Sequence, residues 1–233
     1  MPEKQEWCNL LMATAYLPPV SYIAWIEHAS KIQIEIYETY PKQTWRNRCT
    51  IAGANGPLDL SIPIEKPLGN HTPTGMVNTS LHTQWKNQHW RSILSAYRKS
   101  AFFIHYSEIL EHHFLSTHAG SLLIDWNMSL LQSVLMAIGI KTPIQFSDEY
   151  VKAPIGITDL RNALSPKKVE PAAHTDKIFL PYFQGFSDKH GFLPNLSIID
   201  VLFNLGPDTL QYVRDCGFRQ LNCVPPCNHP IDS

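Results

Sequence analysis

The chain has 233 residues, 44% of them hydrophobic, with 19 basic and 20 acidic side chains and a formal net charge of −1. That length can bury a full core, and residues 1–233 are read as one α/β domain. The balanced charge provides no global field to hold a nucleic-acid backbone or an anionic membrane surface, so any charge chemistry must be local.

The first residues mix Glu3, Lys4 and Glu6 and lack the basic start and long apolar stretch of a secretory signal. Cys8 to Ala15 is a short apolar run that Pro18-Pro19 stops. A helical stretch from Val20 to Ser30 follows, and Ile32 to Tyr37 then alternates Ile32, Ile34 and Ile36 with polar partners. This order reads as β-α-β. The helical crossover should return the second strand parallel to the first, with Pro19 at the first helical position, where a missing N–H is harmless. Arg48 to Ile51 and Leu58 to Pro63 then flank a hairpin loop containing Asn55-Gly56. Prolines, glycines and small polar residues from Glu65 to His82 predict a long loop.

Three helices are predicted over Thr83–Ser100, Phe102–Ser116 and Ser121–Ile138 from the spacing of their apolar residues. The most apolar window, Leu122 to Ile140, is interrupted by Asp125, Asn127 and Gln132. It is therefore a core helix rather than a membrane span. Thr142 to Phe146 is a candidate strand, and Ser147 to Thr175 shows no strong periodicity. Ser197-Ile198-Ile199-Asp200 has the form of a capping box, so Ser197 is expected to cap a short helix and Asp200 to reach back to its start. Leu205-Gly206-Pro207 ends that helix, and a further short one covers about Asp208 to Asp215 and is expected to end at Gly217. The fold class is thus α/β, a mostly parallel sheet opening with βαβ, helices after residue 83 and a helical C-terminal segment. Five cysteines, at 8, 49, 216, 223 and 227, are too few and too odd for a disulfide framework, which points to a reducing, cytoplasmic setting.

The densest polar chemistry follows the second strand. Tyr37 to Arg48 packs Lys42, Arg46 and Arg48 among amides and aromatics. Ligands of open α/β sheets bind outside the carboxyl ends of strands, where guanidinium forks can clamp a phosphate or carboxylate. The plainer alternative is a solvated hairpin whose cations pair with Glu35 and Glu38. Asn127 falls on the apolar stripe of its helix, which turns an amide toward the core, where it needs partners. His89 lies one turn after Trp85 and is either a general base or a partly buried imidazole bonded to backbone. His190 and Asn195 precede the capping box and are free to face a ligand. Neither His112-His113 with His118 nor Cys223, Cys227 and His229 completes a metal shell, so no metal site is assigned. No phosphate-binding glycine loop or nucleophile elbow is present, and no cofactor is specified.

Several of these segments together resemble the WbqC-like proteins, named for a gene of bacterial O-antigen clusters. The matching pieces are Tyr16-Leu17-Pro18-Pro19-Val20-Ser21-Tyr22, Tyr40-x-Lys42-Gln43-Thr44-x-Arg46-Asn47-Arg48, Trp85 with His89, Asp125-Trp126-Asn127, and Phe192 to Gly206. The wording at Pro18-Pro19 and Lys42 to Arg48 looks most like the Bacteroides-type branch. The resemblance implies a transferase of cell-surface polysaccharide synthesis that moves an amino-acid or acyl group onto an amino sugar. Its partner would be a small-molecule, nucleotide-sugar or acyl-donor ligand. In that reading Lys42, Arg46 and Arg48 bind the anionic ligand, His89 is the base, and Asn47, Asn127, Asn195 and His190 orient polar groups. Arg46, Asn47 and Arg48 are expected to share one solvent-reachable pocket with His89 or Asn127. The alternative is a non-catalytic ligand-binding or scaffolding protein of the same pathway, which the missing nucleophile favours.

Overall fold

A computed structural model describes residues 9–81, 84–115, 122–162 and 178–216. Its centre is β1 (Asn9–Ala13), joined through α1 (Val20–His28) to β2 (Lys31–Glu35). The two strands pair in parallel, with Leu10 opposite Ile32 and Met12 opposite Ile34, so their carboxyl ends are neighbours as the crossover predicts. Pro19 stands one position earlier than expected, as the extended residue before the helix.

The edges of this sheet are short. β7 (Ile144–Phe146) pairs in parallel with β2, and β8 (Thr158–Asp159) in parallel with β1, giving the order β7-β2-β1-β8. β8 falls in the stretch without periodicity. Its two residues are too few to carry an alternation, and the sheet rather than the local sequence holds them extended.

Between the first βαβ unit and the helices lie two antiparallel pairs. β3 (Arg48–Gly53) and β4 (Gly56–Ser61) form the hairpin, with Gly53 opposite Gly56, so the loop is Ala54-Asn55, one residue before the expected pair. β5 (Ile64–Glu65) pairs with β6 (Asn78–Thr79), and the stretch between them is tied down rather than loose. Tyr40 N donates to the Thr72 carbonyl at 2.9 Å, Thr74 N to Glu38 O at 2.8 Å and Gly75 N to Ile36 O at 2.7 Å. This strap fixes residues 36–40 above the carboxyl end of β2.

α2 (Trp85–Tyr97), α3 (Phe103–Leu115) and α4 (Leu123–Ile138) follow the predicted boundaries to within about three residues. α4 buries Leu123, Asn127, Leu130, Leu131, Val134 and Ile138, the predicted stripe. It stops at Gly139, whose φ of 89° admits the reversal in which Gly139 N and Ile140 N both return to Leu135 O. No helix among the described residues is long and apolar enough to cross a membrane.

The C-terminal part comprises α5 (Ser187–His190), α6 (Ile198–Leu205) and α7 (Thr209–Asp215). The expected stop of α7 at Gly217 lies outside the described residues. Gly206 ends α6 at φ 54°, and a Cβ there would come within 2.4 Å of the Phe102 ring. Any side chain would therefore force α6 away from the start of α3.

The capping box is not formed. Ser197 makes no side-chain bond to the start of α6; its Oγ donates instead to Leu17 O at 2.7 Å. Tertiary contact overrides the local motif, because Leu17 has φ 37° and its carbonyl faces α6 without a helical partner. Two of the matched segments, Tyr16–Tyr22 and Phe192–Gly206, clasp each other. Val20 N donates to Leu196 O at 3.1 Å, Ile198 N to Pro18 O at 2.8 Å, and Ser21 N to Asn195 Oδ1 at 3.0 Å. Asn195 thus caps α1 from the far end of the chain. It does so at φ 53°, a left-handed conformation that Asn tolerates better than most residues. Asn195→Ala should cost about 2 kcal/mol, combining a lost cap with left-handed strain, and Asn195→Gly only about 1 kcal/mol. Urea melts of the two variants check both the loss and its order.

Candidate functional site at the carboxyl edge of the sheet

All four parallel strands end on one side, and charged or hydroxylic residues stand at or within two positions of those ends: Thr14, Glu35, Ser147, Asp159 and Arg161. Glu35 closes β2 with 1% exposure, a burial that requires partners. Its Oε1 accepts from Tyr37 N at 2.8 Å and Ser147 Oγ at 3.0 Å, and its Oε2 pairs with Arg161 Nη1 at 3.1 Å. Arg161, just past β8, is held on its other side by Asp159, at 3.0 Å through Nε and 2.6 Å through Nη2. Burial works against the Asp159 charge, but the Arg161 hydrogen bonds and charge outweigh it and hold the carboxyl below its usual range. Nη2 also donates to Lys152 O, so most of the Arg161 donors are engaged.

Arg46 is placed differently. It is 3% exposed, and its Nε and Nη2 both contact one oxygen of Glu38, Oε1, the Nε bond being 2.9 Å. Among the described residues neither Arg46 Nη1 nor Glu38 Oε2 has a hydrogen-bond partner. Burial pushes the Glu38 carboxyl above its usual range, against the lowering effect of Arg46. Arg46 and Arg161 together border a narrow cleft with Thr14, Tyr22, Trp45 and Leu160. The Arg46 backbone is pinned: Asn127 Nδ2 donates to its carbonyl at 2.7 Å and to Thr14 Oγ1 at 3.1 Å, while Asn127 Oδ1 is buried without a partner.

The expected site residues therefore separate. Arg46, Asn127 and the cleft come together. Asn47 donates from Nδ2 to Ile62 O at 2.8 Å, tying the two ends of the hairpin. Arg48 projects on the hairpin surface toward Ser61 and Asp59. Arg46 and Arg48 do not share one pocket because β3 begins only at Arg48, and Arg46 lies in the preceding turn. Lys42 is exposed. Asn195 caps α1, and His190 Nε2 bonds Ala54 O at 3.0 Å on the hairpin loop. Of the three cations Arg46 alone pairs with Glu38 among the described residues, and that pair is buried rather than solvated as the plainer alternative had it, while Arg48 pairs with Asp59. Arg46→Ala would strand the Glu38 charge, so it removes stability as well as ligand contacts.

His89 is buried beside Trp85 and Tyr16; its Nδ1 meets Tyr16 Oη at 2.9 Å, and its ring also hydrogen-bonds the Ser61 backbone. Burial lowers its pKa to about 4.

Asp200 is the buried carboxylate that the capping-box reading concealed. It is fully buried and accepts from Tyr97 Oη at 2.9 Å, Tyr182 Oη at 2.5 Å and Gln184 Nε2 at 3.0 Å. Burial raises its pKa in spite of those bonds. Sequence reasoning also missed Arg161, in a stretch without pattern, and treated Glu35 and Glu38 only as surface partners. The available signal was Glu35 itself, a carboxylate that continues the buried run Ile32, Ile34. No cluster of three or more metal-ligating side chains occurs among the described residues.

The four-stranded parallel sheet, its packed helices and its helical C-terminal part define an α/β protein. The profile described as the WbqC-like protein family matches residues 14–169, and the chain belongs to that family. It is 24% identical to "Uncharacterized protein Rv1507c" of Mycobacterium tuberculosis (strain ATCC 25618 / H37Rv), in an alignment covering 88% of this chain and 97% of that protein. No solved structure matches it.

The low His89 pKa has a stability consequence. The unfolded chain protonates this imidazole below about pH 6.5 while the folded chain keeps it neutral, so the contribution is complete above pH 6.5 and is lost as pH falls to about 4. Over that window His89 should remove about 3 kcal/mol. His89→Gln, which can accept from Tyr16 and donate to Ser61, should flatten this acid limb. Denaturant unfolding at successive pH values measures the difference; equal slopes in the two proteins would refute the assignment.

Proposed function

We propose that the chain is a transferase of bacterial cell-surface polysaccharide synthesis, moving an acyl or aminoacyl group onto an amino sugar at the carboxyl-edge cleft. Family membership supports the pathway. The observation that carries the site is Arg46, a cleft-lining residue whose buried guanidinium is immobilised by Glu38 and whose Nη1 has no hydrogen-bond partner among the described residues. Such a fixed, desolvated cation suits the carboxylate or phosphate of a donor.

His89 is the less suitable base, since it is buried with its Nδ1 bonded to Tyr16 Oη. We assign that role to Glu38, whose Oε2 is unbonded among the described residues and whose affinity for a proton burial increases. The acceptor amine would attack the donor carbonyl carbon and pass a proton to Glu38 Oε2. The donor's leaving group would depart with the electrons of the broken bond. The narrowness of the cleft favours a second reading, a non-catalytic binding or scaffolding protein of the same pathway.

A thermal-shift screen of nucleotide sugars, acyl donors and free amino acids separates the two. A ligand that prefers the folded state raises the melting temperature. For the hit, Arg46→Lys should lose most of the shift, because a point charge does not reproduce the fork. Glu38→Gln should keep the shift but lose about 100-fold or more in turnover with an amine acceptor. A hit that binds without turnover in the unsubstituted protein would favour the second reading, and a hit indifferent to Arg46→Lys would displace the site.

A further inference from the structure

β7 is an outer strand of the parallel sheet, and no strand among the described residues pairs with its outer side. On the inner side Ile32 N donates to Pro143 O at 2.8 Å and Ser147 N to Ile34 O at 2.9 Å. That parallel register turns the N–H and C=O groups of Ile144 and Phe146 outward, two donors and two acceptors in a row. Native edges of this kind are normally shortened, charged or covered, because they template pairing with another chain. β7 itself, Ile-Gln-Phe, carries no charge, and Phe146 is 41% exposed.

Beside the strand, a pocket of about 320 Å3 opens between it and the end of α4, lined by Leu135, Met136, Ile140, Lys141, Thr142 and Ile144 among others. Met136 stands at its rim, 78% exposed. The flanks of β7 have opposite signs: Lys141 precedes it, and Asp148 and Glu149 follow it, all exposed and none in an ion pair among the described residues.

We infer that β7 is the interface of a two-fold symmetric dimer, two copies of this chain pairing their β7 strands antiparallel about Gln145. Three independent features select a second copy as the occupant. Centring on Gln145 places Ile144 opposite the partner copy's Phe146, so the two outward residues exchange both backbone bonds in each half, four in all. Opposite residues in such a pair project to the same face, so each Phe146 ring is delivered beside Ile144, at the neighbouring copy's pocket. A pocket of this size exceeds the roughly 150 Å3 that accommodates a benzene ring. Finally, antiparallel pairing sets each basic flank, Lys141, against the other copy's acidic flank, Asp148 and Glu149, which a parallel partner would not do. The contact is self-complementary and closes after two copies, as a two-fold interface must.

The test reads register as well as mass. Sedimentation or light scattering of the full chain should give twice 26.5 kDa, falling to the monomer on dilution. Phe146→Asp and Lys141→Glu should each shift the protein to monomer with circular dichroism unchanged. Adding Asp148→Lys and Glu149→Lys to Lys141→Glu should restore the dimer. Gln145 lies on the axis, where facing Cα atoms are about 4.5 Å apart and a disulfide is sterically allowed. Gln145→Cys should therefore crosslink to itself under mild oxidation well beyond the unsubstituted chain, and Thr142→Cys, which lies off the axis, should not. A monomer at every concentration, a dimer indifferent to Phe146→Asp and Lys141→Glu, or equal crosslinking at 142 and 145 would each overturn the inference.

Discussion

Glu35 ends a strand whose other core residues, Ile32 and Ile34, are fully buried, and its carboxylate is buried with them. A charge in that position is tolerable only if the rest of the chain supplies countercharge and donors, since an unpaired buried ion costs several kcal/mol. The supply arrives by topology. β8 must join β1 in parallel to bring Arg161 to Glu35, and β7 must join β2 in parallel to bring Ser147. Sheet order and charge balance are thus one requirement, and the edge strands can be short because these ionic ties anchor their far ends.

The same edge explains why Arg46 differs from the other cations. Its backbone is held by Asn127 from α4, its neighbour Trp45 by Tyr16 N at 2.9 Å, and its other neighbour Asn47 by Ile62 N at 2.8 Å. Its guanidinium is held by Glu38, which the strap from Thr72 to Gly75 keeps in place. A cation fixed from four directions loses little freedom on meeting an anion, the condition under which one contact is most effective.

The regular part of this architecture was legible wherever the sequence carried a period. The alternation at Ile32 and Ile34, the stripe Leu123 to Ile138 and the crossover length gave β2, α4 and the parallel pairing. Asn127 was found because an amide on an apolar stripe is conspicuous. What lay beyond reach was held by distant partners. β8 has no pattern of its own, Arg161 is meaningful only beside Glu35, and Ser197 uses its hydroxyl on Leu17 rather than on its own helix. The capping-box motif misled for the same reason, since Asp200 serves Tyr97, Tyr182 and Gln184 and not the start of α6. The cluster at Lys42 to Arg48 drew notice by density, but density could not say that one of its arginines turns inward and another stays on the hairpin.

The cap that Asn195 places on Ser21 spans 174 residues. On the ribosome, β1 and α1 are made well before the acceptor for the start of that helix and before the carbonyl of Leu196 that receives Val20. Early-emerging units can fold during synthesis only if their own contacts suffice. Here the first helix cannot be completed until Asn195 and Leu196 have been made. The nascent βαβ unit, with its apolar strands, would have to be shielded through most of that interval, and a message truncated before codon 195 would yield a chain whose opening unit never closes.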